Sequence, residues 1–172
     1  QQTADELSAK GVDAIAIEAD LADYGSMTAA AKSCFAHYGN IDLLFLNAGI
    51  QKVGSFLELP LEDHLKTIDV NLKGVLHGCR ALLPSMIDSD IPSHIMTTTA
   101  SAALLTPNKL SSYNASKSGA QSLVETIHHE LRELGSKVTV STLLPAAVKT
   151  QLFDWARYGG QASEASGDFE QS

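Results

Sequence analysis

Short apolar or β-branched runs alternate with longer stretches whose apolar residues recur at helical spacing, and this alternation constrains the chain more than any other feature of its sequence. Residues 14–19 (AIAIEA) form the first run, followed by Met27, Ala31, Cys34, Phe35 and Tyr38 at helical spacing, with Gly39 as a stop. Residues 41–46 (IDLLFL) make a second run. Residues 61–86 then carry Leu65, Ile68, Leu72, Val75, Leu76, Cys79 and Leu83 on one side of a long predicted helix. A third strand is predicted at 94–99 (HIMTTT), a second long helix at 112–134 ended by Gly135, and a fourth strand at 137–144 (KVTVSTLL). Strands separated by helices need crossover connections, so the expected architecture is α/β, a doubly wound parallel sheet between helix layers.

Composition narrows the function. With 172 residues, 44% hydrophobic and 19% charged, the chain is one globular domain rather than a disordered or fibrous one. Its 12 basic and 20 acidic residues give a net charge of -8, which disfavours broad attraction to phosphate backbones or anionic lipid, so no nucleic-acid or membrane partner is expected. No apolar run approaches the ~20 residues needed to cross a bilayer, and no signal-peptide succession opens the chain. Cys34 and Cys79 lack CxxC spacing and read as free thiols of a reducing compartment, which makes a cytoplasmic location the expectation. His128 and His129 point about 100° apart on a helix and no HExxH is present, so no metal is expected. Opening on Gln1 within a helical pattern, the chain is expected to continue a longer product. Residues 159–172, with three acidic and no basic side chains, are expected to be a polar disordered tail behind a domain of residues 1–158.

In a doubly wound sheet, ligands bind outside the carboxyl ends of the strands. Four such places hold suggestive residues: Asp20 and Leu21, then Asn47, Ala48 and Gly49, then Thr99 to Ser101, and finally Pro145 to Thr150. Singly, each has an ordinary use, Asp20 as a helix cap, Asn47 and Gly49 in a turn, Pro145 in a chain reversal. Their joint occurrence points to one ligand-binding edge. Tyr113 and Lys117, in YNASK, are four apart and share a helix face, a spacing that also suits an amphipathic surface pair. An ammonium beside a phenol favours the phenolate, so the pair predicts a tyrosine with a lowered pKa that donates and accepts protons near neutrality. Ser101, twelve positions before Tyr113 at a strand end, could reach a carbonyl that the phenol also touches. Asn71, in DVNLKG, is a poor helix former within a helical stretch.

The stretches ADL (19–21), LNAG (46–49), DVNLKG (69–74), TTASAA (98–103), YNASK (113–117) and PAAVKT (145–150) occur in an order that resembles the short-chain dehydrogenase/reductase family, over residues 5–150. The resemblance implies a Rossmann-like fold and hydride transfer between NAD or NADP and a small alcohol or carbonyl substrate. It implies that Tyr113 exchanges the proton with the substrate oxygen, that Lys117 lowers the phenol pKa and holds the nicotinamide ribose, and that Ser101 binds the substrate carbonyl. The commonest spacing of that serine lands on Ala100, leaving Thr99 as the alternative hydroxyl. Asn71 would bind a water linking Lys117 to solvent. Asp20, with Leu21 beside it, would meet the adenine edge, and Asn47, Ala48 and Gly49 would form a backbone shelf along the adenosine ribose. Pro145, Val148 and Thr150 join the cofactor-binding set, the last two on the carboxamide and pyrophosphate side. A homo-oligomer through the two long helices is also implied.

The match has gaps. The family's Gly-rich TGxxxGxG turn is absent, Leu46 stands where the family usually has Asn, and Ala146 where it usually has Gly. Against the family's strand order 3-2-1-4-5-6-7, the chain lacks the first βαβ unit and the last strand, which leaves a hole in the sheet. The alternative expectation is therefore a non-catalytic truncated remnant acting as a binding or structural module. An epimerase or dehydratase of the related extended family would need a larger C-terminal domain than this length allows.

Overall fold

A computed structural model describes residues 2–146. The expected boundary at residue 158, the tail 159–172, and Val148 and Thr150 lie outside the described residues. In chain order the elements are α1 (Gln2–Ser8), α2 (Tyr24–Tyr38), β1 (Leu43–Leu46), α3 (Leu61–Ile68), a π-helical turn (Asp69–Lys73), α4 (Gly74–Asp88), β2 (Ser93–Thr98), α5 (Ala102–Leu105), α6 (Ser111–Glu133) and β3 (Val138–Leu143).

The strands form one parallel sheet in the order β1-β2-β3. Helical crossovers join β1 to β2 and β2 to β3, so the strands' carboxyl ends all meet one edge, as the alternation in the sequence predicts. Register makes the two faces plain. Leu44, Ile95 and Val140 are aligned partners, and all belong to a core formed with Ala31 of α2, Leu82 and Met86 of α4, and Leu131 of α6. A second cluster joins Val75 and Cys79 of α4 to Ala120 and Val124 of α6. The alternate residues Leu43, His94 and Thr139, then Phe45, Met96 and Ser141, occupy the other face. There the His94 ring lies 2.8 Å from the Thr139 hydroxyl and 2.7 Å from that of Ser141.

The α/β, parallel-sheet class holds; among the described residues α2, α4 and α6 lie on one face of the sheet, and α1 buries none of its residues. Two expectations are corrected. The run 14–19 has the alternation of a strand yet joins no ladder, because among the described residues no neighbouring strand accepts its backbone groups. Tyr38 partly replaces that neighbour: its hydroxyl accepts from the Ile15 amide at 3.2 Å and donates to the Asp13 carbonyl at 3.1 Å. Finally, the long helix predicted at 61–86 is not uniformly α, because the five-residue π-turn inserts one extra residue and rotates the faces that follow it.

The ends of the helices follow from local chemistry. The Asp23 carboxylate caps α2 by accepting from the Gly25 and Ser26 amides. Gly39 at φ 78° and Gly135 at φ 63° close α2 and α6 in a backbone region that side chains disfavour.

Candidate active site

Three strand ends are stitched together at the carboxyl edge of the sheet. The Thr98 hydroxyl donates to Asn47 Oδ1 at 2.9 Å, joining the end of β2 to the turn after β1. The Thr99 amide donates to the Leu143 carbonyl and the Ser101 amide to the Pro145 carbonyl, both at 2.9 Å, joining β2 to β3. Helix α6 lays its first turns against this edge. Lys117, almost fully buried, donates from Nζ to the Thr98 carbonyl at 2.9 Å. Tyr113 packs its ring among Ala100, Ala102 and Leu110, with Val53 at the margin.

Electrostatics here departs from the expectation drawn from spacing. Lys117 Nζ is 5.8 Å from the Tyr113 ring centroid, but its hydrogen bond goes to a backbone carbonyl rather than to the phenol oxygen. Burial raises the Tyr113 phenol above its ordinary pKa instead of lowering it, and burial also pulls the Lys117 amine down to about 8. Desolvation disfavours whichever form is charged, so it moves an acid and a base in opposite directions. Near neutrality Tyr113 therefore holds its proton, and most of Lys117 remains an ammonium.

The two candidate hydroxyls differ in what they already do. Thr99 is buried and donates to the Leu143 carbonyl at 3.3 Å. Ser101 is half-buried between Ala100 and Ala102, both of which touch Tyr113, and its hydroxyl has no hydrogen-bond partner among the described residues.

Asn71 sits within the π-turn with no exposed surface. Its Oδ1 accepts from the Ile50 amide at 2.8 Å, while Nδ2 donates to the Ile50 carbonyl at 2.9 Å and to Ser116 Oγ at 3.1 Å. Both amide hydrogens are thus taken, and the water relay expected of Asn71 is not available from its N–H groups. Gly49 lies against the same group: a Cβ there would come within 3.2 Å of Lys117 Nζ and 3.3 Å of Asn71 Oδ1. This close approach explains a glycine at the shelf 47–49.

Asp20 and Leu21 stand apart from the tyrosine cluster. Asp20 is exposed beside an open depression lined by Glu18, Ala19, Asp20 and Ser26, and its Oδ1 accepts from the Ala22 amide at 2.9 Å. Leu21 anchors the segment: its side chain meets Gly74, and its carbonyl accepts from His77 Nδ1 at 2.8 Å. Gly74, His77, Ile50 and Ser116 were not singled out from the sequence. Their roles rest on backbone groups and on close approach, for which residue type gives little signal; Gly74, the last residue of DVNLKG, and Ser116, a hydroxyl inside YNASK, sit in stretches that the sequence marks. Among the described residues no group of three or more His, Cys, Asp or Glu is placed to hold a metal ion.

The residues present fit a dinucleotide along this edge: the Ser101 hydroxyl makes no hydrogen bond among the described residues, and the Asp20 carboxylate is exposed beside an open depression. Comparison with known proteins decides the lineage. The family model for short chain dehydrogenases matches residues 1–158. The chain belongs to the short-chain dehydrogenase family. It is 36% identical to a short-chain dehydrogenase/reductase of Burkholderia phymatum solved in complex with NAD, with a TM-score of 0.88 over 95% of this chain and 59% of that one. An alcohol dehydrogenase of Thermococcus sibiricus complexed with 5-hydroxy-NADP is 25% identical at a TM-score of 0.82, covering 93% of this chain and 65% of that one. Among curated relatives, the 1-deoxy-11-beta-hydroxypentalenate dehydrogenase of Streptomyces avermitilis is 34% identical over 150 residues, 86% of this chain and 55% of the relative. This short-chain dehydrogenase chain spans about half the length of the curated relatives it matches.

Proposed function

We propose that the chain belongs to an NAD(P)-dependent oxidoreductase that interconverts a small alcohol and its ketone or aldehyde, with Tyr113 as proton donor and acceptor. The observation that carries this reading is the convergence of Tyr113, Lys117, Ser101 and Asn71 where parallel strands end, with Lys117 buried and fixed on the Thr98 carbonyl. When bound, the nicotinamide supplies or accepts the hydride. Tyr113 gives its phenolic proton to the substrate oxygen in the reducing direction and recovers it in the oxidising one. A phenol that burial keeps protonated suits the donor role, and the neighbouring ammonium stabilises the phenolate left behind. Ser101, whose hydroxyl is uncommitted, orients the substrate carbonyl beside the phenol, a role for which the bonded Thr99 is poorly placed. Asn47, Ala48 and Gly49 give the cofactor a close backbone shelf, Asp20 and Leu21 meet its adenosine side, and Pro145, Val148 and Thr150 complete the set. Apolar side chains exposed at Leu61, Leu65 and Leu76 support association of copies through the long helices. The free thiols of Cys34 and Cys79 support a cytoplasmic setting; among the described residues no helix is long and apolar enough to cross a membrane.

Tyr113→Phe tests the assignment. NADH and NADPH affinity, read by fluorescence enhancement, stays within about twofold of the parent, whereas turnover falls by about 100-fold or more. Turnover at the parent's rate would remove Tyr113 from proton transfer.

A further inference from the structure

Ser116 follows Tyr113 by three residues and directly precedes Lys117, in the interior of α6 and without exposed surface. Its hydroxyl donates to the Tyr113 carbonyl at 2.8 Å. Because the single hydrogen is spent there, the oxygen faces Asn71 only as an acceptor, and it receives Nδ2 at 3.1 Å. The amide is thereby held with its NH2 toward α6 and its oxygen toward the Ile50 amide, which it meets at 2.8 Å. One continuous chain of hydrogen bonds runs from the Tyr113 turn through Ser116 and Asn71 to the backbone of Ile50, next to the Gly49 shelf.

Helix stability alone does not account for this serine. Alanine is the better helix former and fits any space serine fills, while a hydroxyl bonded back to a carbonyl three residues earlier slightly weakens a helix. A residue that breaks the local rule inside a marked stretch is expected where function requires it. Nor does the bond simply satisfy a stray donor, because it joins two elements 45 residues apart at the point where both candidate proton-transfer groups leave α6.

We propose that Ser116 is a positioning residue for the proton-transfer pair: by holding the Asn71 amide, its hydroxyl sets the register of Tyr113 and Lys117 against the backbone of Gly49 and Ile50. The inference rests on the proton-transfer role proposed above and assigns its geometry to a residue outside the pair. Ser116 touches neither substrate nor cofactor and acts only through Asn71.

The test uses the full 172-residue chain with NADH or NADPH and two carbonyl probes, acetophenone and cyclohexanone. Ser116→Ala lowers kcat by about 10- to 100-fold and leaves KM for the probe and the thermal midpoint near the parent's, and Ser116→Thr, which keeps the hydroxyl, restores most of the loss. On an Asn71→Ala background, Ser116→Ala adds no further loss, as action through Asn71 requires. A second readout needs no turnover: competitive labelling of Lys117 with acetic anhydride across pH, read by peptide mass spectrometry. Its midpoint, near 8 in the parent, climbs toward the ordinary lysine range in Ser116→Ala as the amine loosens from its buried seat. Ser116→Cys, of similar size but a weak acceptor, gives the same shift should the alanine variant fail to fold. Parent-like kcat and an unmoved labelling midpoint in Ser116→Ala overturn the proposal. A parent chain that turns over neither probe counts against the function proposed above, while the labelling result still decides the place of Ser116.

Discussion

Lys117 ties the stability of the chain to its chemistry. Its amine is fixed on the Thr98 carbonyl and drawn down to about 8 by burial, from 10.5 for an unperturbed lysine. Between those values the unfolded chain binds a proton that the folded chain has released, so stability rises with pH from about 8 upward, and the full cost of burying the charge is present below that. Tyr113 and Cys79 act in the opposite sense. Burial raises both, Cys79 from 9.0 to about 11, so the unfolded chain loses those protons first and stability falls as pH passes 9 and then 10. The interval from pH 8 to 9 therefore isolates the lysine. Lys117→Met removes the rise in urea midpoint across that interval. At pH 7 it stabilises the fold by about 2 kcal/mol, being roughly 3 kcal/mol of relieved charge burial less about 1 kcal/mol for the carbonyl left unpaired. A variant with the same pH slope as the parent would show that the amine is solvated. The spacing of Tyr113 and Lys117 is legible in the sequence because a four-residue step fixes a shared helix face. The direction of their pKa shifts is not, since spacing does not reveal that the amine turns to a strand carbonyl instead of the phenol.

At the scale of elements, each strand of the sheet falls within two residues of its predicted bounds, and both glycine stops are where the pattern puts them. What fails depends on neighbours the local pattern does not encode. Ile15 and Ile17 alternate as a strand should, but a ladder needs a partner, and the segment is held instead by α2 and α4. The π-turn escapes a helical reading because one inserted residue only shifts the phase of the apolar stripe. Its C-terminal neighbour Gly74 has a consequence for the cofactor side. A Cβ there meets Leu21 Cβ at 3.0 Å, so Gly74→Val drives the Asp20–Leu21 segment off α4 and strains the bond from His77 to the Leu21 carbonyl. The expected outcome is about tenfold weaker NADH binding by fluorescence titration, with kcat at saturating cofactor within about twofold of the parent. Unchanged affinity would separate Asp20 and Leu21 from the cofactor.

At the scale of the whole molecule, the described helices lie on one face of the sheet, and among the described residues the opposite face carries exposed apolar side chains. Leu43 is 57% exposed and Phe45 48%, two residues apart on the edge strand β1, and Leu143 is 47% exposed on β3. Between them lie His94 and Met96 on the same face. A parallel sheet is ordinarily covered on both sides, and apolar side chains gathered on an uncovered face adsorb small apolar molecules or one another. Net charge of -8 weakens non-specific clumping through this face at low ionic strength, which makes dye binding its readout. The 172-residue chain is therefore expected to enhance anilinonaphthalene sulfonate fluorescence at neutral pH while fully folded. Phe45→Lys places a charge in the middle of the patch and on an edge strand, where lysine also discourages further pairing. It should reduce the enhancement by about half or more while moving the thermal midpoint by only about 2 °C, because the side chain already stands largely in water and contributes little to the core. Leu44, its neighbour on the covered face, gives the contrast: Leu44→Lys buries a charge against the core built on Ile95 and Met86 and unfolds the chain. Unchanged dye fluorescence in Phe45→Lys would mean that another part of the chain covers this face.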